Sequence, residues 1–217
     1  MTRAPHTVVL ADNHSLILRG LEGLLAPQDD FRVVASCVTG QSALEAIRRE
    51  RPDVAVLDAN LPQVNGLAVL AAVVAEGLPT RTVFLTVSMS DQQICASVSG
   101  GVDGLVLKEG AADTLVHCLQ EVTAGRRWLP EEIVKPAVDR RAERQRAGRK
   151  MLSELTKREL EVVQLVGVGL ANRAIADKLG LSEGTVKVHL HHIYQKLGIV
   201  NRASLAALAA TYRADSA

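Results

Sequence analysis

Six polar residues in the first half of the chain stand where chemistry could be done: Asp12, Asn13, Asp58, Asn60, Thr86 and Lys108. They close or directly follow the short apolar runs VVLA, VAVL, VFL and LVL. Any one of them alone would pass as an ordinary polar residue at a strand end. Together they bring two carboxylates, a hydroxyl and an ammonium toward one shallow site. Asp58 can act as a nucleophile toward phosphorus. A divalent metal held by Asp12, Asp58 and the carbonyl of Asn60 would offset charge on a transferring phosphoryl group, and magnesium prefers such hard oxygen ligands. Lys108 and the Thr86 hydroxyl can hold phosphoryl oxygens. Phosphoryl transfer asks for little more than positioning and charge stabilisation.

These residues need strands that end at a common edge. Apolar runs at 7–11, 31–35, 54–57, 82–86 and 104–107 alternate with longer stretches of helical spacing. Leu16, Leu18, Leu21, Leu24 and Leu25 fall near one helical face, as do Ala43, Leu44 and Ile47, and again Leu115, Leu119 and Val122. Five βα repeats predict an α/β domain: a doubly wound, five-stranded parallel sheet of flavodoxin-like form, with helices on both faces. Strands buried on both faces are apolar throughout, as these are. Functional groups in such a sheet gather at the carboxyl ends of the strands.

The net charge of +1 conceals an asymmetry. Residues 1–138 carry 11 Lys/Arg against 16 Asp/Glu, whereas residues 139–217 carry 14 against 8. An acidic module joined to one that meets a polyanion is the expectation. The stretch VDRRAERQRAGRK, 138–150, reads as a solvated, partly helical tether inside a linker at 126–152. No apolar run approaches the ~18 residues of a membrane span. The N-terminus lacks a signal peptide's apolar core. Cys37, Cys95 and Cys118 are scattered and fit small buried hydrophobes in a reducing cytoplasm.

After the tether come four helical patterns. Thr156 is a good N-cap with Glu159 at N3, flanked by Leu155 and Leu160 as a staple. A second helix covers about 171–179 and stops at Gly180; Ser182 caps a third at 183–197, which Gly198 ends. A last one covers about 202–212. The middle pair reads as a helix-turn-helix, whose second helix would enter the DNA major groove. Its outer face carries Thr185, Lys187, Val188 and His191. Lys187 can donate to guanine and Val188 can touch a thymine methyl. Lys178, Lys196, Arg202 and helix-start amides suit phosphate contacts, which position without specifying. His189, His191 and His192 do not have the spacing of a closed metal site.

Two resemblances rest on these motifs. VVLADNHSLILRGL, RPDVAVLDANLPQVNGL, RTVFLT and GLVLKE are similar to the receiver domain of two-component response regulators. LTKRELEVVQLV, GLANRAIADKLGLSEGTVKVHLHHIYQKLG and NRASLAALA resemble the LuxR-type DNA-binding domain. The pair resembles the NarL/FixJ group, with a receiver at 1–125 and an all-α four-helix output domain at 153–217. The resemblance implies that Asp58 accepts a phosphoryl group from a sensor histidine kinase, with Mg2+ at Asp12, Asn13, Asp58 and Asn60. It gives Thr86 and Lys108 the switch and phosphoryl-site roles. It implies promoter binding, a homodimer when active, and a cytoplasmic regulator rather than an enzyme. Leu205, Leu208 and Ala209 fit either a dimer contact or the core.

The chain departs from the family pattern in three places. Asn13 stands where a second acid is usual, which predicts weaker metal binding and slower phosphorylation. Leu105 stands where an aromatic switch partner is frequent. Ala171 and Ala174 replace both halves of a capping box, with Asn172 as a substitute cap. Asn13 and Leu105 motivate one alternative, an atypical regulator that binds DNA independently of phosphorylation. A phosphatase of the haloacid-dehalogenase type is a further rival, but Asn60 stands where such enzymes carry a second Asp, and an amide cannot shuttle a proton.

Overall fold

In the computed structural model, which describes residues 4–213, the chain divides into two compact units, 1–138 and 139–217. Residues 1–3 and 214–217, the outer ends of the two expected domains, lie outside the described residues.

The first unit is a five-stranded parallel sheet in the order β2-β1-β3-β4-β5. Its strands are β1 (His6–Ala11), β2 (Phe31–Cys37), β3 (Val54–Leu57), β4 (Arg81–Thr86) and β5 (Gly104–Leu107). Between and after them run α1 (Ser15–Leu25), α2 (Gly40–Glu50), α3 (Gly66–Ala75), α4 (Asp91–Ser99) and α5 (Ala111–Thr123). The period-two alternation of each strand feeds two cores. Val9, Ala11, Ala55, Leu57 and Phe84 join Ile47 and Val69 on one face. Val8, Leu10, Val56, Val83 and Leu85 join Leu21, Leu115 and Leu119 on the other. The strand order reverses at β1, so β1 and β3 end side by side with Asp12 and Asp58 just beyond them.

Residues 126–129 close the β5 edge: the Leu105 amide donates to the Trp128 carbonyl and the Trp128 amide to the Asp103 carbonyl. The stretch read as a tether belongs to a 22-residue helix, α6 (Glu131–Leu152). Its first turns contribute Ile133, Val134 and buried Ala137 to a cluster with Ile94 and Cys95 of α4. Acids in its first turn and Arg149 and Lys150 in its last complement the helix dipole, which favours helix over coil.

The second unit holds α7 (Lys157–Gly167), α8 (Asn172–Leu179), α9 (Glu183–Leu197) and α10 (Arg202–Arg213) around Val162, Ile175, Val186, Ile193 and Leu205. Thr156 and Glu159 form the expected reciprocal cap of α7. Ala171 is the N-cap of α8 and offers no side-chain bond; Asn172 does not replace it, because its Oδ1 accepts from Arg202 instead. Leu205 and Ala209 are buried in the core, with Leu208 packed against it, which decides between the two roles open to them.

Candidate functional site

Lys108 Nζ lies 2.5 Å from Asp12 Oδ2 and 2.5 Å from Asp58 Oδ2. The two carboxylate oxygens can therefore be no further apart than twice that distance. Local structure aims them. The Asp58 amide bonds to the Ala11 carbonyl and the Lys108 amide to the Thr86 carbonyl, so the ladder carries one residue past each strand end. Asp58 Oδ1 accepts from the Asn60 amide at 3.0 Å, and Asp12 Oδ1 from the His14 amide at 2.9 Å. Both are local Asp-to-i+2 turns that fix a carboxylate over the chain that follows it. Gly66 opens α3 directly beneath: a Cβ there would sit 2.5 Å from the Asp58 carbonyl oxygen, so only glycine allows this approach.

The site is buried yet incompletely satisfied. Asp12 is 1% and Asp58 6% exposed. Asp12 Oδ2 meets Lys108 as an ion pair without a well-aligned hydrogen bond. Burial works against the Lys108 charge, but its close contacts with the Asp12 and Asp58 carboxylates outweigh it and raise its pKa above that of a free lysine. Two carboxylates facing one ammonium leave a net negative charge among hard oxygen donors. That set fits a small divalent cation.

Of the six residues singled out in the sequence, the structure joins Asp12, Asp58 and Lys108 by direct contact. Asn60 joins them through its amide. Thr86 ends β4 fully buried, but its hydroxyl donates to the Ser88 carbonyl at 3.0 Å. Asn13 is exposed at the rim. Sequence reasoning missed His14, whose ring Nδ1 is 3.2 Å from Asp12 Oδ1; its place two residues after the acid was the available signal.

In the second unit Thr185, Lys187, Val188 and His191 are exposed on α9. Ser182 caps that helix through the Thr185 amide. Lys187 pairs with Glu183 one turn earlier at 3.1 Å. Lys196 and Arg202 are tied inward. Lys196 Nζ is 2.7 Å from Oε2 of buried Glu159, and Arg202 bonds to Asn172 Oδ1 at 3.0 Å and to the Leu170 carbonyl. Their first task is to brace α7 against α9 and α8 against α10. Burial of Glu159 opposes its ionisation, yet Lys196 and the Thr156 donors overcome this and hold its carboxyl at about 2.

An acidic crevice at a switch point of a parallel sheet, with a helix-turn-helix unit in the same chain, defines a two-part signalling regulator. Comparison with known proteins narrows the class. Residues 8–120 match the response regulator receiver domain, and residues 153–209 match the bacterial regulatory proteins of the luxR family. The chain is 34% identical over 201 residues to the nitrate/nitrite response regulator homolog of Haemophilus influenzae, covering 93% of this chain and 94% of that one. It is 32% identical over 203 residues to NarL of Escherichia coli K12, with the same coverage. The crystal structure of the response regulator ChrA, from a haem-sensing two-component system, is 33% identical and superposes with a TM-score of 0.56, covering 97% of this chain and 99% of that chain. The chain belongs to the response regulators that join a receiver domain to a LuxR-family DNA-binding domain. Its activity is that of a NarL-like DNA-binding transcriptional regulator, with a receiver that is a substrate for a histidine kinase. Among the described residues no helix is long and apolar enough to cross a membrane.

Proposed function

We propose that Asp58 is the phosphoryl acceptor and that its phosphorylation controls promoter binding by α9. An Asp58 carboxylate oxygen attacks the phosphorus of a kinase phosphohistidine. The P–O bond forms as the P–N bond breaks, and the imidazole nitrogen keeps the electron pair. Lys108 then passes from the carboxylate to a phosphoryl oxygen, and Thr86 leaves the Ser88 carbonyl to hold another. Asp12 and Asp58, with neutral oxygens from Asn13 and Asn60, would hold Mg2+, whose charge offsets that of the phosphoryl group. Thr185, Lys187, Val188 and His191 face the major groove, while Lys196 and Arg202 reach the phosphate backbone from their braced positions. The working boundaries are a receiver at 1–125, a connecting segment at 126–152 and an output domain at 153–217. The partners are a sensor histidine kinase, promoter DNA and a second copy of the chain, in the cytoplasm.

The observation that carries this reading is the single ammonium held 2.5 Å from both strand-end carboxylates. The test is intact mass after incubation with Mg2+ and acetyl phosphate. One added phosphoryl group that is absent from Asp58→Ala supports it. No adduct from acetyl phosphate or from a kinase would replace it with phosphorylation-independent DNA binding.

A further inference from the structure

His14 stands at the N-cap of α1 with extended backbone, yet its side chain makes no bond to that helix. At most other helix starts the same position is held by a residue that caps. Thr39, Asn65, Ser90, Thr156 and Ser182 each accept from a first-turn amide, in α2, α3, α4, α7 and α9. A cap of this kind is a common source of helix stability, and α1 forgoes it. The imidazole turns back instead to the acid two residues earlier, where Nδ1 lies 3.2 Å from Asp12 Oδ1. A carboxylate oxygen only accepts, so Nδ1 carries the proton in this bond.

The two oxygens of Asp12 are served unequally. Oδ1 accepts from the His14 amide at 2.9 Å and from the His14 ring at 3.2 Å. Oδ2 meets the Lys108 ammonium as an ion pair at 2.5 Å. Among the described residues it is the one buried side-chain oxygen of the acidic crevice without a hydrogen bond. Rotation about the last bond of an aspartate is soft, and a single donor on Oδ1 would leave the carboxylate free to swing about it. The ring adds a second donor on the same oxygen and fixes the carboxylate plane, so Oδ2 stays aimed at Lys108, which it shares with Asp58. The His14 side chain is 66% exposed, so its packing contributes little. Among the described residues its one side-chain polar contact is with Asp12.

We infer that His14 is a positioning residue for phosphoryl transfer: its ring Nδ1–H fixes the Asp12 carboxylate in the attitude that holds the divalent cation. The inference rests on the proposed Mg2+ site. Aim matters here because residue 13 is a neutral amide. Asp12 and Asp58 supply the negative charge of the site, and a misaimed Asp12 leaves half of it. Hydrogen-bond partners behind a metal-ligating carboxylate change metal affinity without touching the metal.

The test is the Mg2+ affinity of the full chain by calorimetric titration, with no phosphoryl donor present. His14→Ala keeps the backbone amide that bonds to Asp12 and removes only the ring. It is expected to weaken Mg2+ binding about tenfold, with an unchanged melting temperature. His14→Ser gives α1 a capping hydroxyl. It is expected to raise the melting temperature by about 3 °C while Mg2+ binding still weakens, whereas a merely structural role would move both together. With acetyl phosphate, the Mg2+ concentration for half-maximal labelling of Asp58 should rise in His14→Ala by the same factor, and the rate at saturating Mg2+ should match wild type. Wild-type Mg2+ affinity in His14→Ala would overturn the role of His14, and so would a rate deficit that saturating Mg2+ does not remove. If the wild-type chain bound no Mg2+, the metal reading itself would fall, and the role of His14 with it.

Discussion

Each unit buries a lysine–carboxylate contact, and the two contacts are finished differently. In the second unit Glu159 Oε2 accepts from Lys196 at 2.7 Å, from the Thr156 amide at 2.8 Å and from the Thr156 hydroxyl at 2.9 Å. A buried charge so fully bonded is structural: it closes the start of α7 and staples α7 to α9. In the first unit one ammonium serves two carboxylates, and Asp12 Oδ2 lacks a well-aligned donor. Such an unfinished network costs stability and leaves acceptor capacity for an incoming group. The difference separates a brace from a site, even though the residue types are the same.

Removing the cations and acids one at a time would break or sharpen that contrast. The largest effect is expected from Lys108→Met, which strands two buried carboxylates and should cost about 3 kcal/mol. Trp128, the chain's single tryptophan, lies in the first unit and reports that loss by fluorescence during urea unfolding. An unchanged midpoint would mean that solvent already screens the pair. Next comes Glu159→Ala, which removes the α7 capping box and the Lys196 partner together, at about 2 kcal/mol. Amide exchange should then accelerate in α7 and α9 and not in the sheet. This brace also has a pH signature. The folded Glu159 pKa of about 2 lies below the ordinary 4.5, so its contribution is complete above about 4.5 and is lost as pH falls toward 2. Glu159→Ala should erase that part of the acid dependence of the second unit. Smaller still is Asp58→Asn: Asp12 still neutralises Lys108, and relief of carboxylate repulsion should leave stability within about 1 kcal/mol of wild type. A large loss there would make Asp58 a brace like Glu159.

How far the sequence carried the argument follows the same physics. Strands buried on both faces leave nearly unbroken apolar runs, so β1, β3, β4 and β5 and the polar residues that end them were readable, as was the Asp12–Asp58–Lys108 set; β2, an edge strand with Arg32 and Ser36 exposed, was readable only by its apolar stretch at 31–35. Helices with one wet face, such as α2 and α9, show their period. α3 reads GLAVLAAVVA and is apolar nearly all round, so its facing was not readable. The charges of 138–150 said solvated, and they are, yet opposite charges at the two ends of α6 also favour a helix. Glu159 and Lys196 were read as a cap and a phosphate contact, because a salt bridge spanning 37 residues leaves no local trace. Arg202 was hidden in the same way by its partners at 170 and 172.

Asn13→Asp sharpens the comparison most finely, because its two effects have opposite signs. The added carboxylate would stand at the rim, one residue from Asp12, with Lys108 already shared between two acids. Without metal it adds like-charge repulsion, so the first unit should lose a few tenths of a kcal/mol in the same Trp128-monitored unfolding. With Mg2+ it supplies a charged ligand in place of a neutral one, and affinity should rise about tenfold, or about 1.4 kcal/mol, by calorimetric titration. A brace gains or loses stability alone, whereas a site exchanges stability for ligand affinity. Equal Mg2+ affinity in the two proteins would place residue 13 outside the coordination shell and leave the metal to Asp12, Asp58 and the Asn60 carbonyl.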